Sequence, residues 1–208
     1  MDIDCNLDVC RLNGRQYVQA VQMLSHAAQR LDGVRTLTRA KFTAFTDRQI
    51  RLLAGTGPET PGKIGEAGFE TETGAEILVS FIELSEISPE RNGSEPVLVS
   101  RGQESHEFTT EPTTGFEQLL VCMLQSVALL VKDRYPDMAS PRLTAFRRSR
   151  IPCSETVFPT EARILVKPLR NVEGRGILHR TDALSFSDPG GNVFAEANMF
   201  SAYCAGAQ

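Results

Sequence analysis

Histidine is scarce in this chain. His26, His106 and His179 are its only three among 208 residues, too few and too scattered to give a metal site much support. No metal and no cofactor is expected. Cysteine gives no scaffold either: Cys5, Cys10, Cys122, Cys153 and Cys204 lack a paired spacing, and an odd number rules out a complete disulfide framework. Reduced thiols are the expectation. Positive charge is not in excess, with 22 Lys and Arg against 26 Asp and Glu and a formal net charge of -4, so a broad electrostatic attraction to nucleic acid is not expected. The densest basic group, Arg147, Arg148 and Arg150, falls in a strand-like segment and reads as a solvated rim. Long apolar runs are missing as well. The longest, Leu119 to Val131, is interrupted by Gln125 and Ser126 and is too short to span a bilayer. The N-terminus, MDIDCNLDVC, has neither the basic start nor the apolar run of a secretory signal, so a cytoplasmic protein is expected. There is no Gly-x-Ser-x-Gly elbow, no phosphate-binding loop and no dinucleotide fingerprint, which removes several enzyme classes.

What remains has the composition of a globular protein, 41% hydrophobic and 23% charged, long enough for one large domain or two small ones. Ile3, Cys5, Leu7 and Val9 alternate with Asp2, Asp4, Asn6 and Asp8, the period of a half-exposed strand. Asn13-Gly14-Arg15-Gln16 has the form of a capping box and predicts a helix beginning there. Along it Tyr17, Val21, Leu24, Ala28 and Leu31 make an apolar stripe, with Gln19, Gln22, His26 and Gln29 opposite. Val34 to Ile50 is rich in β-branched and aromatic residues, Gly55 to Gly65 reads as a surface loop, and Lys63–Glu72 and Glu76–Leu84 flank Thr73-Gly74-Ala75 as a hairpin.

After a linker-like stretch from Ser85 to Pro96 the pattern restarts. A strand is expected from Val97 to Ser100, a second capping box at Thr114-Gly115-Phe116-Glu117, and an apolar helix from about Gly115 to Asp133. Strands over Arg142–Ile151 and Glu161–Leu169 follow, and then a hairpin from Gly176 to Cys204 around Asp188-Pro189-Gly190-Gly191. The order of strand, capped helix, strands and terminal hairpin thus occurs twice. The expected division is residues 1–88, a linker at 89–96 and residues 97–208, together one compact α+β unit.

Residues 106 to 204 resemble the hotdog superfamily, whose enzymes include 3-hydroxyacyl carrier-protein dehydratases and acyl-thioester hydrolases. The resemblance rests on His106 in a pre-helical loop, Pro112 and Gly115 at the junction, the apolar helix, and the closing strand from Val193 to Phe200. It implies a double hotdog, two long helices each wrapped by antiparallel sheet. It also implies a thioester carried by an acyl-carrier protein or by coenzyme A, in polyketide or lipid metabolism. Pairing with a second hotdog chain, like or unlike, is the other partner it implies. In the family's dehydratases the pre-helical histidine takes the α-proton, which assigns His106 as base, and the helix start at Gly115 and Phe116 would hold the thioester oxygen. The family's helical carboxylic acid has no counterpart. Leu120 occupies that position and Gln19 the equivalent one in the first half, with Glu117 the nearest carboxylate, placed for either capping or catalysis. Gln19 and Glu117 therefore complete the candidate catalytic set. Thr113 to Leu120 is also similar to hotdog repeats of A-factor and syringolide-type synthases, which keeps open thioester hydrolysis and 3-oxoacyl transfer. The missing carboxylate keeps open a non-catalytic acyl-binding protein. Cys122, inside the apolar helix, is expected to pack as an inert thiol.

Overall fold

The computed structural model describes residues 3–12, 18–55, 60–92, 99–101, 107–110, 115–153 and 162–205. The first half begins with β1 (Asp4–Leu7), where Leu7 is buried and Asp4 and Asn6 are exposed as period two requires, and with the short β2 (Arg11–Leu12). Helix α1 (Ala20–Arg30) is followed by β3 (Val34–Phe42), β4 (Arg48–Ala54), β5 (Lys63–Thr71), β6 (Glu76–Ile87) and β7 (Glu90–Arg91). The second half contains β8 (Val99–Arg101), β9 (Glu107–Thr110), α2 (Phe116–Arg134), β10 (Met138–Pro152), β11 (Arg163–Gly174), β12 (Ile177–Ser187) and β13 (Val193–Ala205).

Eleven strands form one sheet, in the order β1-β4-β6-β5-β3-β10-β13-β12-β11-β9-β8, while β2 and β7 pair separately. Every neighbouring pair in the large sheet is antiparallel. The halves meet where β3 pairs with β10, Ala40 opposite Phe146 and Leu37 opposite Ile151. The two helices touch each other, and a single apolar cluster runs from Leu7 through Leu24, Phe69, Phe81, Leu119 and Phe146 to Tyr203. One close approach shapes the first half. Gly65 faces Phe42 across the β3–β5 pair, and a Cβ there would lie 2.5 Å from the Phe42 ring, which itself packs on Phe81 at 5.3 Å between centroids.

Several expectations need correction. The first helix starts at Ala20, not at the Asn13 box; its N-cap is Gln19, whose side chain makes no capping bond, and residues 13–17 lie outside the described set. The second helix has Gly115, not Thr114, as its N-cap, again without a side-chain capping bond. Thr114 lies outside the described residues. Gln22, expected opposite the packed stripe, is buried, and its Oε1 accepts the Cys10 backbone N–H at 3.2 Å. That bond satisfies two polar groups that burial would otherwise leave costly. Val34 to Ile50 is two strands, broken at residues 43–47. The linker-like stretch from Ser85 contains the end of β6 and the whole of β7. The β5–β6 hairpin stands where expected, with Gly74 at φ +80° in its turn.

Candidate functional site

The apolar helix α2 carries most of the candidate residues because its sequence, FEQLLVCMLQSVALLVKDR, combines good helix formers with a broad apolar face. Gly115 precedes it in an extended conformation, φ -175° and ψ 174°, with its carbonyl accepting the Leu119 N–H at 3.2 Å. The first-turn amides have no carbonyl one turn earlier, so this end of the helix presents donors and the positive end of its dipole. A Cβ added at Gly115 would meet no atom of the described residues within 4 Å. Phe116 is 7% exposed and anchors the first turn in the core. Glu117 is half-buried in that same turn, where its negative charge complements the dipole.

Leu120, at the position the resemblance gives to a carboxylic acid, is wholly buried. Gln19 is half-buried at the N-cap of α1, where its backbone carbonyl accepts the Gln22 N–H at 3.1 Å. It stands at the mouth of the first helix rather than on a helical face. His106 lies outside the described residues. The segment after it, expected as a pre-helical loop, forms strand β9: Phe108 is buried opposite Ile164, and Glu107 pairs with Leu165. At about 3.3 Å per residue, β9 separates Glu107 from Thr110 by roughly 10 Å. Gly115, Phe116 and Glu117 are therefore brought together by one helix start, whereas Gln19 belongs to the start of the other helix.

The remaining titratable groups fit structural roles. Cys122 is buried in α2 and burial pushes its thiol up to about 12, which removes the thiolate at neutral pH. Burial does the same to Cys153, also to about 12. His179 is exposed on β12 with its ring stacked on Phe200 at 6.0 Å, so it is a surface residue and not an interior one. Among the described residues no three His, Cys, Asp or Glu side chains converge as a metal site, and no helix is long and apolar enough to cross a membrane.

Sequence reading missed one polar cluster. Arg180 and Asp182 on β12 are 2% and 0% exposed, with Nε donating to Oδ2 at 2.6 Å. Ser201 and Tyr203 lie buried on the adjacent β13, Arg180 directly opposite Ser201. Burial raises the Tyr203 phenol above its ordinary value. The signal was present: the i, i+2 spacing in a strand puts both charges on the face that also carries Leu178, Leu184 and Phe186.

This arrangement, a long helix against antiparallel strands in each half, resembles the hotdog superfamily in fold. Solved structures agree across nearly the whole chain. A pyran synthase domain from module nine of the sorangicin pathway matches with a TM-score of 0.51 at 12% identity, over 92% of this chain and 87% of that one. A trans-AT PKS dehydratase domain from Brevibacillus brevis matches with 0.50 at 11% identity, over 99% and 94%. A hot dog fold protein of unknown function from Alicyclobacillus acidocaldarius matches with 0.50 at 9% identity, over 100% and 94%. No protein-family model matches the sequence, and no curated protein does.

Proposed function

We propose that the chain is a double hotdog, residues 1–88 and 97–208 forming its halves around a linker at 89–96, that processes an acyl thioester. Dehydration of a 3-hydroxyacyl chain on a carrier protein or coenzyme A is the specific reaction. The observation that carries this reading is the glycine-capped start of α2. Gly115 caps it without a side-chain capping bond, and the first-turn amides are donors able to stabilise negative charge on a thioester oxygen. Two of the fold neighbours, a pyran synthase domain and a dehydratase domain, carry names in keeping with such chemistry. His106 is the base in this scheme, with an imidazole whose ordinary pKa suits proton abstraction near neutrality. Abstraction of the α-proton and departure of the 3-hydroxyl as water gives the unsaturated thioester, and the proton for that water comes from Glu117 or from solvent. Gln19, which has no ionisable proton, orients a carbonyl or a water.

A second reading is favoured by Leu120: with a wholly buried leucine in place of the acid, the chain binds an acyl group or supports an active hotdog partner. Incubation with 3-hydroxyacyl thioesters, followed by mass spectrometry of the acyl product, separates the two. Loss of water supports the dehydratase, release of free acid indicates a thioesterase, and turnover only in the presence of a second hotdog chain supports the partner role.

A further inference from the structure

The outer face of the sheet carries a feature unrelated to either helix start. Along β10, Phe146 is buried, Arg147 and Arg148 are both exposed, Ser149 is buried, Arg150 is exposed and Ile151 is buried. A regular strand would turn Arg147 and Arg148 to opposite faces and drive one guanidinium into the core. Arg148 prevents this by adopting φ +50°, a left-handed conformation that is unfavourable for a non-glycine residue. The strand bulges there. Five steps on β10 from Phe146 to Ile151 oppose three on β3 from Ala40 to Leu37, so two extra residues are accommodated at the seam between the halves.

The bulge borders a cavity of about 440 Å³ lined by Thr38, Arg39, Lys41, Glu66, Arg147 and Arg148, among others. Its two carboxylates already have partners, Glu76 on Arg39 at 3.1 Å and Glu66 on Lys63 at 2.6 Å. Lys41 stands near Glu66 without a contact ion pair, and Arg147 and Arg148 have no carboxylate partner among the described residues. Four cations thus face two carboxylates in a chain whose net charge is -4. Adjacent guanidinium groups with planar forks suit an oxyanion with several acceptor oxygens.

We propose that this seam cavity is a binding site for a phosphate or diphosphate group, held by Arg147 and Arg148 with Lys41 beside them. The site is independent of the acyl-thioester reading, because binding here is measured without turnover. The group's source is either a free inorganic anion or the phosphoester of a larger ligand such as coenzyme A, and the test distinguishes them. Calorimetric titration at fixed ionic strength compares inorganic pyrophosphate, coenzyme A and pantetheine, which has no phosphate, on the wild type. The same titrations are made on Arg147→Gln/Arg148→Gly, whose glycine also suits the left-handed position, and on Arg150→Gln, whose side chain borders a different cavity. Saturable pyrophosphate binding is expected, weakened about tenfold for each guanidinium removed and unchanged in Arg150→Gln. Coenzyme A binding that falls with it assigns a phosphoester source; coenzyme A binding that survives leaves the site to free anions. Circular dichroism checks that the variants remain folded. No saturable pyrophosphate binding, equal binding by the folded double variant, or pantetheine binding lost with the two arginines would overturn the proposal.

Discussion

The two halves share one core order, a strand, a helix, two further strands and a terminal hairpin, yet they place that hairpin differently. Counting outward from the seam, the first half reads β3-β5-β6-β4-β1 and the second β10-β13-β12-β11-β9. In the first half the leading strand of the terminal hairpin lies against the post-helix strand; in the second the trailing strand does. The cause lies one connection earlier. Between β11 and β12 the chain turns in two residues, Arg175 and Gly176, at φ +53° and +73°. Both positive values belong to the tight hairpin turn whose twist matches antiparallel strands, so β12 is fixed beside β11. β4 does not pair with the strand that follows it. Residues 55–62 connect it to β5, and β6 is the strand that pairs with β4. A local turn, not the hydrophobic pattern, decides which neighbour a strand takes.

The halves also bury different polar groups, and substitution magnifies the difference. Asp182→Ala leaves the Arg180 guanidinium uncompensated in the core, so a loss of about 3–5 kcal/mol is expected in urea denaturation. The buried amide of the first half is worth less: Gln22→Leu removes the acceptor of the Cys10 N–H and should cost about 1–3 kcal/mol. Gly176→Ala tests the turn that sets the second half's strand order. A Cβ there meets no atom within 4 Å, so the cost is that of the left-handed backbone alone, about 1–2 kcal/mol. The smallest effect is at the surface of β5. The hydrogen bond from Lys63 holds the Glu66 carboxyl below its ordinary value. A carboxyl lowered on folding contributes stability that is present above its unfolded pKa and lost as pH falls through the folded one. Melting curves of Glu66→Gln and wild type should therefore differ slightly near neutrality and converge in acid below the ordinary carboxylate range.

Helices and strands were legible where a period or a turn residue marks them: β1, the β5–β6 hairpin around Gly74, α2, and the β12–β13 hairpin. Strand neighbours were not, because period two specifies a face and not a partner. The start of α1 was misplaced, and the cap of α2 missed by one residue, for a related reason. Asn13 and Thr114 supply the letters of a capping box, but the backbone enters the helix at Gln19 and Gly115, and only geometry separates these positions. Gln22 was placed opposite the packed stripe because its side chain is polar; the Cys10 N–H that it satisfies comes from another part of the chain and leaves no mark in the local pattern. The paired arginines did leave one, two consecutive charges inside an alternating strand, which signals a bulge. Of the candidate site, the Gly115–Glu117 helix start was legible from composition, and His106 entered only through resemblance.

The acyl-thioester reading assigns the chemistry to the second half and a supporting part to the first, so paired substitutions test it most directly. Turnover of a 3-hydroxyacyl thioester is followed by mass spectrometry for His106→Ala and Gln19→Ala, each checked for folding. Removal of the proposed base should reduce dehydration by about 10²–10⁴-fold, while Gln19→Ala, which breaks no capping bond, should stay folded and lower the rate much less. Full turnover by His106→Ala would contradict the assignment, and so would a wild-type chain that leaves every 3-hydroxyacyl thioester unchanged.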